Sequence, residues 1–276
     1  MIGLFDSGAG GMSVLREILK LLPEEKYVYY SDNANCPYGE KTREFIIDRS
    51  RTITRELLDK GCDIIVVACN TATSAAIETL RNEFAPVKFI GMEPAIKPAI
   101  LSTRTGVIGV LATSGTLKGS KYLINKGIYE DNVRIAEHVG EGFVELVENG
   151  ELDGPHAEEV VRASLQPLLD EGADNIVLGC THYPFLRPLI RKIAGPSVKI
   201  IDPAPATARH LIYVMVQEKL ISETQATHAL AKVIEIAEAA DRGEEPGKAY
   251  LQHEPFIELI SSGDPEPLKK ICRQIL

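Results

Sequence analysis

The sequence predicts an α/β fold in which two related parallel-sheet domains face each other across a cleft, with pseudo-twofold symmetry. Three observations predict it. Short β-branched runs alternate with stretches of helical apolar periodicity along the chain. Two of those runs, Cys62 to Ala68 and Asn175 to Gly179, each lead into a cysteine followed by polar residues (Cys69-Asn70-Thr71 and Cys180-Thr181-His182), the pattern of a buried parallel strand feeding a helix. The motif Ile108 to Thr116 resembles Ile2 to Gly10. Thr113 lies 106 residues after Ser7 and Cys180 lies 111 after Cys69. Two nearly equal offsets are what a duplicated half-domain with small insertions leaves behind. The expected division is a first domain over 1–95, a second over 96–209, and a segment over 210–276.

Composition narrows the partners. A chain of 276 residues with 45% hydrophobic content can bury a large core. Its 39 acidic against 30 basic residues leave a net charge of -9, which argues against nucleic acid. The longest apolar stretches are strand-sized, and the amino terminus lacks a basic segment leading into an apolar one, so a soluble cytoplasmic protein with no membrane partner is expected. Five cysteines (Cys36, Cys62, Cys69, Cys180, Cys272) are odd in number and scattered, which favours reduced thiols.

In chain order, Ile2 to Phe5 reads as a first strand. Asp6-Ser7-Gly8-Ala9-Gly10-Gly11 is a glycine-rich turn into a helix whose apolar face is Val14, Leu15, Ile18, Leu19 and Leu22. The turn is not a nucleotide fingerprint, because Ser13 stands where a G-x-G-x-x-G needs glycine and no Gly-Lys-Ser/Thr follows. Its glycines allow close backbone approach or a tight turn, and Asp6 is an N-cap candidate. Tyr27 to Tyr30 suggest a second strand, ending in the turn-rich loop Ser31 to Gly39. A helix from about Lys41 to Lys60 turns Phe45, Ile46, Ile53, Leu57 and Leu58 inward, with Gly61 as C-cap. After the Cys69 strand, Asn70 or Thr71 is placed to cap the next helix, and Val87 to Ile90 is another strand. Further on, Glu158 to Leu169 is amphipathic, with Pro167 expected to kink or interrupt it. Two helical segments run from Thr207 to about Arg242, split near Ser222, before an apolar run at Phe256 to Ile260 and a last helix through Leu268 and Ile271. His138, His156, His210, His228 and His253 show no metal-ligand spacing, and no lysine stands out for a pyridoxal Schiff base.

The two strand-end cysteines carry the chemistry. In parallel sheets ligands bind at the carboxyl ends of strands, so facing halves bring Cys69 and Cys180 to opposite walls of one cleft. Inverting a stereocentre that bears an acidic hydrogen needs an acid/base group on each face, and a thiolate opposed by a thiol supplies both. A helix N-terminus after each cysteine would favour the thiolate and hold a substrate carboxylate. The alternative is that both are small buried apolar residues. A thiol redox protein is disfavoured by the absence of Cys-x-x-Cys.

Phe5-Asp6-Ser7-Gly8-Ala9-Gly10-Gly11, Pro37-Tyr38-Gly39, Ala68-Cys69-Asn70-Thr71-Ala72 and Gly179-Cys180-Thr181-His182-Tyr183-Pro184 resemble the motifs of the glutamate branch of the cofactor-independent aspartate/glutamate racemase family. So do Ala112-Thr113 with Thr116, Ile201-Asp202-Pro203 and Ser262-Gly263-Asp264-Pro265, and the likeness spans nearly the whole chain. The resemblance implies interconversion of L- and D-glutamate without a cofactor or metal, in a homodimer that supplies D-glutamate for peptidoglycan. It makes Cys69 and Cys180 the two bases, with Asp6 assisting Cys69, and His182 with Glu148 assisting Cys180. Ser7, Pro37, Tyr38, Gly39, Asn70, Thr71, Thr113, Thr116, Thr181 and His182 would line the substrate site. Asp32 either contacts the ammonium group or caps a turn. Gly140-Glu141 departs from the Cys-Pro that many relatives carry shortly before the segment of Glu148. No Lys or Arg falls in these motifs, so anion binding would rest on amides and hydroxyls. An aspartate or broader amino-acid racemase, and an amino-acid-binding regulator without turnover, remain as alternatives. The tail after residue 209 is implied to return to the first domain.

Overall fold

A computed structural model describes residues 1–129, 132–241 and 255–275. His253 and the expected helix end at Arg242 lie outside the described residues. The strands are β1 (Ile2–Asp6), β2 (Tyr27–Ser31), β3 (Ile64–Val67), β4 (Lys88–Gly91), β5 (Val107–Ala112), β6 (Arg134–Val139), β7 (Asn175–Gly179), β8 (Lys199–Ile201) and β9 (Ile257–Ser261). All pair in parallel, as two sheets of order β4-β3-β1-β2-β9 and β6-β5-β7-β8. Read from the other edge, the second sheet runs β8-β7-β5-β6, the same order as β4-β3-β1-β2. The repeat seen at offsets of 106 and 111 residues is therefore a repeat of topology. The fifth strand of the first sheet comes from the far end of the chain, β9 pairing with β2 from Tyr27↔Ile257 to Ser31↔Ser261.

Alternation along each strand divides the core. Ile2 and Leu4 of β1, with Ile64 and Val66 of β3, face a central core shared with Leu111, Ile176 and Leu178 of the second sheet. The helices Met12–Leu21, Pro155–Asp170 and Ala204–Gln217 contribute Leu15, Leu165 and Leu211 to it. Phe5, Val28, Ile65 and Val67 point the other way, under Ile53 and Leu57 of helix Arg43–Asp59 and Ile77 and Leu80 of helix Asn70–Glu83. Each fully buried aliphatic side chain of this kind is worth about 1.5–3 kcal/mol. No helix among the described residues is long and apolar enough to cross a membrane.

Four local expectations change. Phe45 is 37% exposed rather than inward, because the buried face of its helix is Ile46, Ile47, Ser50, Ile53, Thr54 and Leu57 and Phe45 flanks it. Pro167 does not interrupt its helix, which is continuous from Pro155 to Asp170. The cap of helix Asn70–Glu83 is neither Asn70 nor Thr71 but Cys69, whose Sγ accepts the Ala72 amide at 3.4 Å. After Cys180 comes no immediate α-helix but a short 3₁₀ turn, Tyr183–Leu186, leading into helix Arg187–Ala194.

Candidate active site

The site lies where the carboxyl ends of the two sheets meet. Register aligns Phe5 with Val67, Asp6 with Ser31, and Ala112 with both Val139 and Gly179. The residues that leave the sheets at these ends are Ser7, Asp32 and Cys69 from one half and Thr113, Gly140 and Cys180 from the other. A strand end in a parallel sheet is where side chains escape the ladder and face a crevice.

Three sets of contacts join the halves. Asp6, fully buried, accepts the Gly11 amide at 2.7 Å and the Thr181 hydroxyl at 3.3 Å on Oδ2. Ser13, one turn on, donates to the Thr181 carbonyl at 2.9 Å. The hydroxyls of Thr71, Thr113 and Thr116 form a triangle with sides of 2.9, 3.2 and 3.0 Å, so one threonine from the first half meets two from the second. His182 donates from Nε2 to Glu148 Oε1 at 2.6 Å, and the same oxygen accepts the Ala9 amide at 2.7 Å.

The glycine-rich turn is explained by that third set. A Cβ on Gly10 would stand 2.3 Å from His182 Nδ1, and one on Gly8 would stand 2.2 Å from Glu148 Oε1. The turn is thus a backbone surface against which His182 and Glu148 are pressed. Gly140, at the departure from the Cys-Pro pattern, has a similar cause, since a Cβ there would lie 2.5 Å from the Tyr183 hydroxyl oxygen.

Each thiol has its own acid/base neighbours. Cys69 is buried and its Sγ lies 3.9 Å from Ser7 Oγ. Burial, and next the negative charge of Asp6, push this thiol well above the ordinary cysteine range. The Ala72 amide works against them and a charge on Cys180 with them. The helix N-terminus supplies the Ala72 amide expected of it, but at Cys69 the loss of water outweighs that one amide. Asp6 is raised too, by burial, against the opposing charge of His182. Cys180 Sγ stands 3.7 Å from His182 Nδ1. Burial would lower the imidazole, but its hydrogen bonds with Cys180, Cys36 and Glu148 prevail and hold it protonated well above the ordinary histidine range. Glu148 is held below the usual carboxylate range despite burial, through His182 and the Ala9 amide.

Asp32 is committed elsewhere. It is fully buried and accepts from Arg49 Nη2 at 2.8 Å and Nε at 3.0 Å, from Tyr38 at 2.6 Å and from Asn35 at 3.1 Å. It anchors the 3₁₀ turn Tyr38–Glu40 that follows Pro37, and Gly39 of that turn packs against Thr113, where a Cβ would meet the Thr113 Cβ at 3.0 Å. Asn70 is 3% exposed, yet neither amide atom finds a hydrogen-bond partner among the described residues, and the same holds for Asp6 Oδ1. Sequence reasoning missed Arg49, Ser13 and Tyr29, whose hydroxyl holds the Gly8 carbonyl at 2.9 Å. The one available signal was a cation at an inward helical position, three residues after Ile46 and four before Ile53.

The arrangement offers two thiols on separate sheets, a carboxylate beside one and an imidazolium–carboxylate pair beside the other, under buried polar groups. Residues 2–211 match the Asp/Glu/Hydantoin racemase family. The glutamate racemase of Herpetosiphon aurantiacus is 50% identical over 208 residues, 75% of this chain and 82% of its own. That of Methylococcus capsulatus is 45% identical over 259 residues, 94% and 93% of the two chains. Among solved structures, Escherichia coli glutamate racemase in complex with L-glutamate and the activator UDP-MurNAc-Ala aligns with a TM-score of 0.78 at 28% identity, covering 99% of this chain and 94% of that one. The Francisella tularensis glutamate racemase in complex with D-glutamate gives 0.77 at 25%, covering 100% and 92%. The chain therefore belongs to the Asp/Glu/Hydantoin racemase family and is an isomerase of the racemase class.

Proposed function

We propose that the protein interconverts L- and D-glutamate with Cys69 and Cys180 as the two bases. The observation that carries this reading is the matched placement of the thiols. Cys69 follows β3 and Cys180 follows β7, equivalent strands of two sheets with the same order, and each thiol has a separate proton relay beside it.

In the reaction one thiolate takes the α-hydrogen, breaking C–H and forming S–H, while the opposite thiol gives its hydrogen to the other face of the carbon. The proton count is unchanged and the sulfurs exchange roles for the reverse direction. Preparing the thiolate falls to the neighbours. A raised Asp6 is a better acceptor for the Cys69 proton than an ordinary carboxylate, which narrows the gap between donor and acceptor. His182 carries the proton that Cys180 releases or needs, and Glu148 keeps the ring charged and oriented. The substrate ammonium brings a positive charge to both sulfurs, which lowers the cost of ionising either. Asn70, with its unpartnered amide, and the first amides of helix Asn70–Glu83 suit the α-carboxylate. Ser7, Tyr38, Gly39, Thr71, Thr113, Thr116, Thr181 and His182 bound the rest of the substrate. Asp32, engaged by Arg49, Tyr38 and Asn35, sets the Tyr38-Gly39 turn, and Pro37 lines the substrate site at the start of that turn.

The reading extends to domains over 1–95 and 96–209 with the remaining segment completing the first, and to a cytoplasmic homodimer that supplies D-glutamate for peptidoglycan. The reaction is tested by incubating L-glutamate, D-glutamate and both aspartate enantiomers with the protein in deuterated water. Racemisation of glutamate with deuterium at the α-carbon, and far slower turnover of aspartate, is expected. Equal rates on aspartate would favour the broader racemase, and no exchange on any amino acid would leave the non-catalytic binder.

A further inference from the structure

Cys36 is a thiol beside the site that the proposed reaction does not use. It is half-buried, and its sulfur would lie 3.0 Å from a Cβ built on Gly8, the same Cβ that meets Glu148. Linear spacing of the histidines gives no metal motif, yet in space Cys36 Sγ, a Glu148 carboxylate oxygen and a ring nitrogen of His182 all lie within 4.8 Å of one another. We propose that these three side chains form a binding site for a soft divalent cation of the zinc type, and that its occupation switches the enzyme off.

The donor set is the first argument. Sulfur, imidazole and carboxylate are the ligands that zinc takes, with bonds of about 2.0–2.3 Å. Ligand atoms around a tetrahedral ion then sit about 3.3–3.8 Å apart, so no pair here has to close by more than about 1.5 Å, while the Glu148–His182 hydrogen bond has to open. Support from outside the triad is the second. Glu148 Oε1 already accepts the Ala9 amide at 2.7 Å, the kind of outer hydrogen bond that fixes a ligating carboxylate. Charge is the third, because one thiolate and one carboxylate neutralise a dication where water is scarce. Entry is from the side of half-buried Cys36, since His182 itself is 1% exposed.

Binding is a proton-for-metal exchange. The Cys36 thiol and the His182 imidazolium each give one proton to solvent, the cation takes their places, and nothing is oxidised or reduced. The inhibitory half rests on the function proposed above, because a metallated His182 can no longer pass a proton to Cys180. The binding half requires no turnover and is read separately.

The test titrates the full chain, as wild type, Cys36→Ser and Cys36→Ala, with Co²⁺ while following the thiolate-to-cobalt charge-transfer absorption. A second titration follows racemisation against Zn²⁺. Wild type is expected to bind one Co²⁺ with a charge-transfer band, and to be inhibited by Zn²⁺. Both variants should lose the band and need at least about tenfold more Zn²⁺ for half-inhibition, the scale on which an altered metal shell changes affinity. A band of equal strength or inhibition of equal potency in both variants would move the metal to Cys69 and Cys180 and overturn the assignment. Absence of Co²⁺ binding by wild type would overturn it as well. Binding that leaves turnover unchanged would overturn the switch, and a wild type inactive on glutamate but with a Cys36-dependent band would refute the function while sustaining the site.

Discussion

Gly10→Ala tests how closely the glycine-rich turn and His182 are fitted. The added Cβ would lie 2.3 Å from Nδ1, 2.6 Å from Cε1 and 2.7 Å from Cγ of His182, while ordinary contact begins at 3.4 Å. The ring or the turn must therefore retreat by 1.1 Å, the difference between 3.4 and 2.3. His182 has little freedom to do so without loss, being tied to Glu148 at 2.6 Å and standing 3.7 Å from Cys180. A misplacement of about 1 Å in a catalytic constellation costs about 10²-fold in rate, so kcat should fall about 100-fold with KM changed much less. Overpacking of this kind costs about 1–3 kcal/mol in stability, which a thermal melt will show as a folded but weakened protein. Gly127→Ala, where an added Cβ meets nothing within 4 Å, is the matched control. Following optical activity of each glutamate enantiomer gives both constants. A Gly10→Ala variant with kcat within about twofold of wild type would refute the reasoning, because a ring free to move by that distance without loss is not held for proton transfer.

Glu148→Gln removes one of the groups that keep His182 protonated. Because the folded-state value of His182 is raised, the stability from its charge is complete below about pH 6.5 and is lost as pH rises through the elevated value. For Glu148, whose value is lowered, the contribution is present above about pH 4.3 and is lost as pH falls through the lowered one. The variant's basic limb of kcat against pH should move to lower pH with a loss of about tenfold at the optimum, and a limb that stays put or moves upward would contradict the role. Arg49→Met leaves fully buried Asp32 without its two-point partner. We expect a loss of about 2 kcal/mol in urea unfolding, below the about 3–5 kcal/mol of a fully buried pair because a quarter of Arg49 is exposed. KM should rise with it as the Tyr38-Gly39 turn loosens. Unchanged stability would mean that Tyr38 and Asn35 suffice to hold Asp32.

Strand ends are legible in the sequence because β-branched runs that stop at polar residues have few other readings, and the two offsets join Cys69 with Cys180. Pairing of β9 with β2 is not, since a strand added across 226 residues leaves no local mark. Capping by Cys69 was misread for a different reason. Asn and Thr are the common caps, and only the path of the backbone shows that the thiol accepts the Ala72 amide. Arg49 was invisible as a site residue because its partner, Asp32, sits in a loop whose course depends on the whole turn. The pressing of Gly8 and Gly10 against Glu148 and His182 is likewise a property of the interface between halves and of neither half alone.

The most direct measurement is racemisation of each glutamate enantiomer in deuterated water by wild type, Cys69→Ser and Cys180→Ser. Wild type should place deuterium at the α-carbon of the product from either enantiomer. Each single variant should lose turnover by at least about 10²-fold in both directions, because an acid/base group on either face is indispensable. A variant that racemises at the wild-type rate would contradict the account, since the proton would then be reaching that face without the sulfur assigned to it.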